Sequence, residues 1–263
     1  MKNDLNLKEK SELAQRILEN DTQYSRSKIT IHEFFEKDND TISNEIVEKQ
    51  LTIIDSYYST NMSRRYYGIE EIAESIIKIS TDKRELKNIF IEYTKNPNVL
   101  QNVTNLFNSQ YGYNKTGKRF GQATSLISKY AYFITDFNFP IYDSIVREVY
   151  PLITDAKLVD NNFGDFIKFM NELLTSSNID NYNQLDNLLW LIGKINRGNY
   201  SLVLKKDKYL TLVGKIDSFD ELKSFDVDAK IKEFINLNID SLFEVFTNDQ
   251  VEMIKFCKLL SGN

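Results

Sequence analysis

Lys129 and Asp143 are the two residues whose types and spacing most suggest chemistry. Lys129 lies in the run SLISKYAYFITDF, and Asp143 follows a turn at Pro140 and directly precedes SIVREVY. An amine held in dry surroundings loses proton affinity and becomes a nucleophile. A carboxylate at the start of the next helix can take a proton or stabilise positive charge growing on a sugar carbon. Each residue also has a plainer role open to it. Asp143 is placed as a helix N-cap, and Lys129 can lay its stem on apolar surface while its head reaches water.

Basic residues gather upstream of this pair. Residues 111–129 hold Lys115, Lys118, Arg119 and Lys129 with no acid, alongside Gly112, Gly117 and Gly121. A glycine-containing loop ahead of a helix can present backbone N–H groups to a phosphate, an arrangement the helix dipole favours. The other reading is a solvated basic surface. In the run DSYYSTNMSRRYY at 55–67, Arg64 and Arg65 can hold phosphates while Tyr66 stacks on a base. Alternatively the tyrosines pack on the core and the arginines face water. Trp190 is the single tryptophan, with Lys194 and Arg197 close behind it. It either lines a pocket with those cations at the rim or belongs to the core.

Several other chemistries lack their residues. With one cysteine, Cys257, and one histidine, His32, neither a disulfide framework nor an all-protein Cys/His metal site can be built. His32-Glu33 has no second histidine at zinc-protease spacing, so no metal role is assigned. Cys257 stands among Ile254, Phe256 and Leu260, which suits a buried, inert thiol. Neither a GxGxxG fingerprint nor a GKS/GKT phosphate loop occurs, and no cofactor is expected.

The string SLISKYAYFITDFNFPIYDSIVREV resembles the helix–turn–helix portion of the helix-hairpin-helix DNA glycosylase superfamily. The resemblance spans about residues 120–150. It implies a mainly helical fold and cleavage of an N-glycosidic bond in DNA after the base is flipped out. It places Lys129 as the Schiff-base nucleophile and Asp143 as the catalytic aspartate. FGQATSLISK stands where the family has a compact glycine-rich hairpin, and the Lys-to-Asp interval is about one helical turn shorter.

The positioning elements read as helices. Gly and Pro number nine and three, too few for a chain of many tight turns. Ile69, Ile72, Ala73, Ile76 and Ile77 recur at one-face helical spacing, and Leu86, Ile89, Phe90 and Tyr93 repeat it. Further helices are expected over 5–19, 42–58, 99–110, 123–134, a stretch closing near Pro151, 163–174, 181–194 and 248–260. Tyr24–Ser27 reads as a loop, and KITIHEFF at 28–35 as a strand or a helix start. SLVLKKDKYLTLVGKI, 201–216, is the one strand candidate, a hairpin or a helix.

The fold class expected is therefore mainly α: a multi-helix globular protein with room for one short β-hairpin near 201–216. An N-terminal helical extension (1–40), a helical core (41–200) and a C-terminal appendage (201–263) are expected to pack as one unit. The formal net charge is −5, whereas dedicated charge-driven nucleic-acid binders are usually basic, so local patches must carry any DNA contact. The N-terminal MKNDLNLKEK predicts no signal peptide, and no run is long enough to span a bilayer. A cytoplasmic location and no membrane partner follow as expectations. Two functions stay open: a glycosylase-like enzyme acting on DNA through Lys129 and Asp143, or a non-enzymatic helical interaction or regulatory protein of bacterial stress or phage-defence type.

Overall fold

A computed structural model describes residues 5–19, 22–36, 40–154, 156–158, 162–204 and 246–261, with five positions between 226 and 232. Its α-helices are α1 (Leu7–Glu19), α2 (Gln23–Glu36), α3 (Asn44–Tyr58), α4 (Gly68–Ile77), α5 (Lys83–Lys95) and α6 (Gln101–Asn108). They continue with α7 (Thr124–Ile134), α8 (Ser144–Thr154), α9 (Phe163–Ser177), α10 (Tyr182–Asn196) and α11 (Asn248–Ser261). Two short 3-10 turns, Met62–Arg64 and Tyr200–Val203, complete the list of named elements among the described residues. The protein is thus a mainly helical, multi-helix globular fold. No described helix is long and apolar enough to cross a membrane.

α7 is the central element. Leu126 through Ile134 are all buried, and α2, α3, α5 and α6 pack around them. A helix apolar on every side belongs inside a fold, and α7 carries one charge, Lys129. Aromatic rings fill the space on its flanks. Phe35 meets Tyr130 and Phe133, while Phe107 stacks on Phe163 with centroids 3.7 Å apart and also on Phe139. α1 lies against α10 and α11, so the first helix shares the core with the last.

Side-chain caps set where the helices begin. Ser43, Asp82, Asn162 and Asn181 accept hydrogen bonds from backbone N–H groups in the first turns of α3, α5, α9 and α10. Asp143 Oδ1 does the same for α8, accepting from the N–H of Val146 at 3.0 Å. α8 then packs on α10 at closest range beside Gly193, where an added Cβ would lie 2.4 Å from Ile145 Cγ2. The glycine lets the two backbones approach and brings the N-terminal end of α8 alongside Trp190 and Lys194.

Three local expectations are corrected, and one alternative is decided. Tyr24–Ser27 is not a loop, and of the two readings of 28–35 the helix holds: both lie within α2, whose buried face is Tyr24, Lys28, Ile31 and Phe35. The helical spacing was hidden by a lysine in the apolar stripe. α8 does not close at Pro151 but runs on to Thr154. Residues 201–203 form part of a 3-10 turn rather than a strand, and the rest of the 201–216 candidate lies outside the described residues.

Candidate active site

Lys129 and Asp143 meet at the wall of one hollow. The Lys129 Nζ lies 3.7 Å from Asp143 Oδ2, with the two side chains 3% and 21% exposed. The ammonium also donates to Ser125 Oγ at 2.8 Å and sits 5.3 Å from the centre of the Tyr58 ring. Burial pulls the Lys129 proton affinity below the usual lysine range, and the charges of Asp143 and Asp186 partly restore it. Asp143 thus does two jobs with two oxygens: one caps α8, the other faces the amine.

The hollow has a volume of about 810 Å³, which falls within the range of small-ligand sites. α2 and α3 contribute Tyr24, Tyr57 and Tyr58 to its wall, and α10 contributes Trp190. Tyr24 and Trp190 lie ring against ring, centroids 4.0 Å apart. Arg147, Lys194 and Arg197 line it too, together with the carboxylates of Asp143 and Glu148. Lys194 lies over the Trp190 ring at 5.5 Å, and burial lowers its proton affinity. Arg197 is held by both oxygens of Glu148, at 2.6 and 2.9 Å, and by Ser144 Oγ. Aromatic faces beside fixed positive charge suit a flat ring carrying an anionic group.

Behind the aromatic wall lies a buried polar network. Tyr24 donates to Asp186 Oδ2 at 3.1 Å, and Lys28 Nζ donates to Asn183 and Asn187 at 2.6 and 3.1 Å. Tyr132 donates to the same Asn183 oxygen. Burial pushes the Asp186 carboxyl up to about 6 and pulls Lys28 down to about 8. Sequence reading missed both residues. Their signal was a charge at a core position of an amphipathic helix: Lys28 in line with Tyr24 and Ile31, and Asp186 in line with Tyr182 and Leu189.

The remaining proposed DNA contacts lie elsewhere, and none of them lines the hollow. Arg119 Nη1 donates to both oxygens of Glu71, at 2.6 and 2.9 Å, and Nη2 donates to the Gln110 carbonyl. Arg65 donates to the carbonyls of Gly121 and Gln122 and stacks over Phe120. Arg119 ties the 110–122 loop to Glu71 of α4 while remaining exposed, and Arg65 ties the loop to the turn ahead of α4. Tyr66 and Tyr113 exchange backbone hydrogen bonds at 3.0 Å, and Gly112 and Gly117 take the positive φ angles the loop requires, 73° and 75°. Arg64, Lys115, Lys118 and Tyr66 are exposed on this surface. The Gly112 N–H donates to Glu71, so that loop amide already has an acceptor.

Two further groups are accounted for by their neighbours. His32, Glu36 and Asp136 bring donor atoms within 4.8 Å of one another, but the Lys87 ammonium is ion-paired with Asp136 and supplies the positive charge there. Cys257 is buried, and burial raises its thiol above the ordinary range, which leaves it unreactive. No protein-family model, curated protein or solved structure matches the chain, so the hollow itself bears the functional argument.

Proposed function

We propose that the chain cleaves N-glycosidic bonds in DNA, with Lys129 as nucleophile and Asp143 as its proton partner. The observation that carries this reading is the shared hollow: a buried amine and a carboxylate 3.7 Å apart border a solvent-reachable space of about 810 Å³. Asp143 accepts the Lys129 proton, and the neutral amine attacks C1′ of an extruded nucleotide. The C–N bond to the base breaks, the base leaves with the bonding electron pair, and it takes a proton from the Asp143 carboxyl. The C1′–O4′ bond then breaks as the nitrogen forms a double bond to C1′ and one of its protons passes to O4′, giving a protonated imine, the species borohydride reduces to a stable amine. Tyr58 and the half-buried Trp190 supply apolar wall for the base, while Lys194 and Arg147 supply charge for the flanking phosphates.

The other reading is a non-enzymatic helical interaction or regulatory protein. It is favoured by the completeness of the pair as a strut: Lys129 is bonded to Ser125, and Asp143 caps α8. Reduction of a mixture of the protein and abasic-site DNA separates the two. The enzyme reading expects a covalent adduct lost in Lys129→Ala; the strut reading expects none.

A further inference from the structure

A second hollow adjoins the first. Its volume is about 430 Å³, and it shares Gln23, Ser27 and Tyr57 with the Lys129 pocket. Gln23 and Ser27, one turn apart on α2, offer an amide and a hydroxyl to both spaces. Tyr57, in the last turn of α3, stands between them and is 49% exposed. Beyond it lie Arg26 and Thr30 of α2, Leu204, and Ser201, which donates to both oxygens of Asp228.

We propose that these hollows form one groove for two consecutive unpaired nucleotides of a single DNA strand, the second base stacked on Tyr57. This rests on the nucleotide-binding reading of the Lys129 pocket and extends it to the form of the substrate. Both volumes fall within the roughly 300–1,000 Å³ range of ligand sites. An aromatic side chain between them requires neighbouring bases to separate, which a paired, stacked duplex resists and a single strand allows. The net charge of −5 and the carboxylates of Asp143 and Glu148 in the first hollow work against phosphate contacts, so the affinity must be drawn from stacking. Stacking contributes roughly 1–3 kcal/mol per base, or about a 5- to 150-fold effect on affinity.

Fluorescence anisotropy with a short, labelled, non-self-complementary deoxyoligonucleotide tests this. The single strand is expected to bind at least about 10-fold more tightly than the same sequence annealed to its complement. Tyr57→Ala is expected to lose about 10-fold of the single-strand affinity, and Tyr57→Trp to keep it. Equal or tighter duplex binding, unchanged affinity in Tyr57→Ala, or tighter binding of the matching oligoribonucleotide would overturn the proposal. The outcome is separable from the catalytic reading. Tyr57-dependent single-strand binding without any borohydride adduct leaves the groove standing and removes the chemistry. An adduct that forms while Tyr57→Ala leaves binding untouched removes the groove alone.

Discussion

Ser128 accepts a hydrogen bond from the backbone N–H of Tyr142 at 3.0 Å, and this contact ties the central helix to the residue just before Asp143. Ser128 and Lys129 are neighbours on α7, so the anchor for the Pro140 turn and the amine come from the same turn of helix. The Asp143 carboxylate is therefore fixed relative to Lys129 from two sides, by this bond and by its own cap on α8.

Asp143→Asn isolates the carboxylate's electrostatic role. An amide oxygen still caps α8, but the nearest negative charge to Lys129 is gone. Removing it disfavours the ammonium, so the Lys129 proton affinity, already lowered by burial, falls further. The rate of reductive methylation of Lys129 against pH, followed by mass spectrometry, is expected to shift to lower pH. An unchanged profile would mean that Asp143 does not govern the amine.

Asp186 makes stability depend on pH. Its carboxyl is raised from 3.8 to about 6 in the folded state, chiefly by burial, with Lys28, Asp143, Tyr24 and Lys129 as the charged and titratable groups acting on it. Between those values the folded chain holds a proton that the unfolded chain has released, so this contribution falls as pH rises through the window. In Asp186→Asn the slope is absent. The stability of the variant relative to wild type is expected to grow by on the order of 3 kcal/mol from pH about 4 to above 6. Urea denaturation at several pH values measures this, and a constant difference would contradict it.

Gly193→Ala tests the close approach of α8 and α10. Alanine favours a helix by about 1 kcal/mol over glycine, yet its Cβ would meet Ile145 Cγ2 at 2.4 Å. Overpacking typically costs about 1–3 kcal/mol, so a net loss is expected in urea unfolding. A variant more stable than wild type would show that α8 can retreat without loss.

Glu71 holds the basic loop through Arg119 and the Gly112 N–H. Glu71→Ala removes both contacts while leaving the core of α4, Ile72, Ala73 and Ile76, intact. Trypsin is expected to cut faster after Lys115 or Lys118 in the variant, with an unchanged far-ultraviolet circular dichroism spectrum. Equal cleavage rates would mean that the loop is held by its backbone bridges alone.

How much the sequence disclosed follows from what each residue packs against. The stripe Ile72, Ala73, Ile76 was legible because one face of α4 meets the core and the other meets water. α7 was found by its apolar content, although burial on all sides left no polar face to show which way Lys129 points. α2 was left ambiguous because a lysine occupies a core position, where asparagines of α10 and the rings of Tyr132 and Phe137, all remote in the chain, surround it. The aromatic wall of the pocket was legible only in part. Trp190 with Lys194 and Arg197 could be read as a pocket wall, as the structure has them, but Tyr24 and Tyr57 come from two other helices and nothing local to them announces the hollow they share. Arg65 and Arg119 looked like phosphate contacts from charge alone, and their carbonyl and carboxylate acceptors emerged only with the loop's path.

The central claim is that Lys129 is a nucleophile toward a sugar carbon, and borohydride reduction in the presence of an oligonucleotide carrying one abasic site tests it most directly. Wild-type protein is expected to yield a covalent protein–DNA species on a denaturing gel, with the mass increment on the tryptic peptide containing Lys129 and no such species in Lys129→Ala. A wild-type protein that binds the oligonucleotide without forming the adduct, or an Lys129→Ala variant that forms it in full yield, would contradict the account.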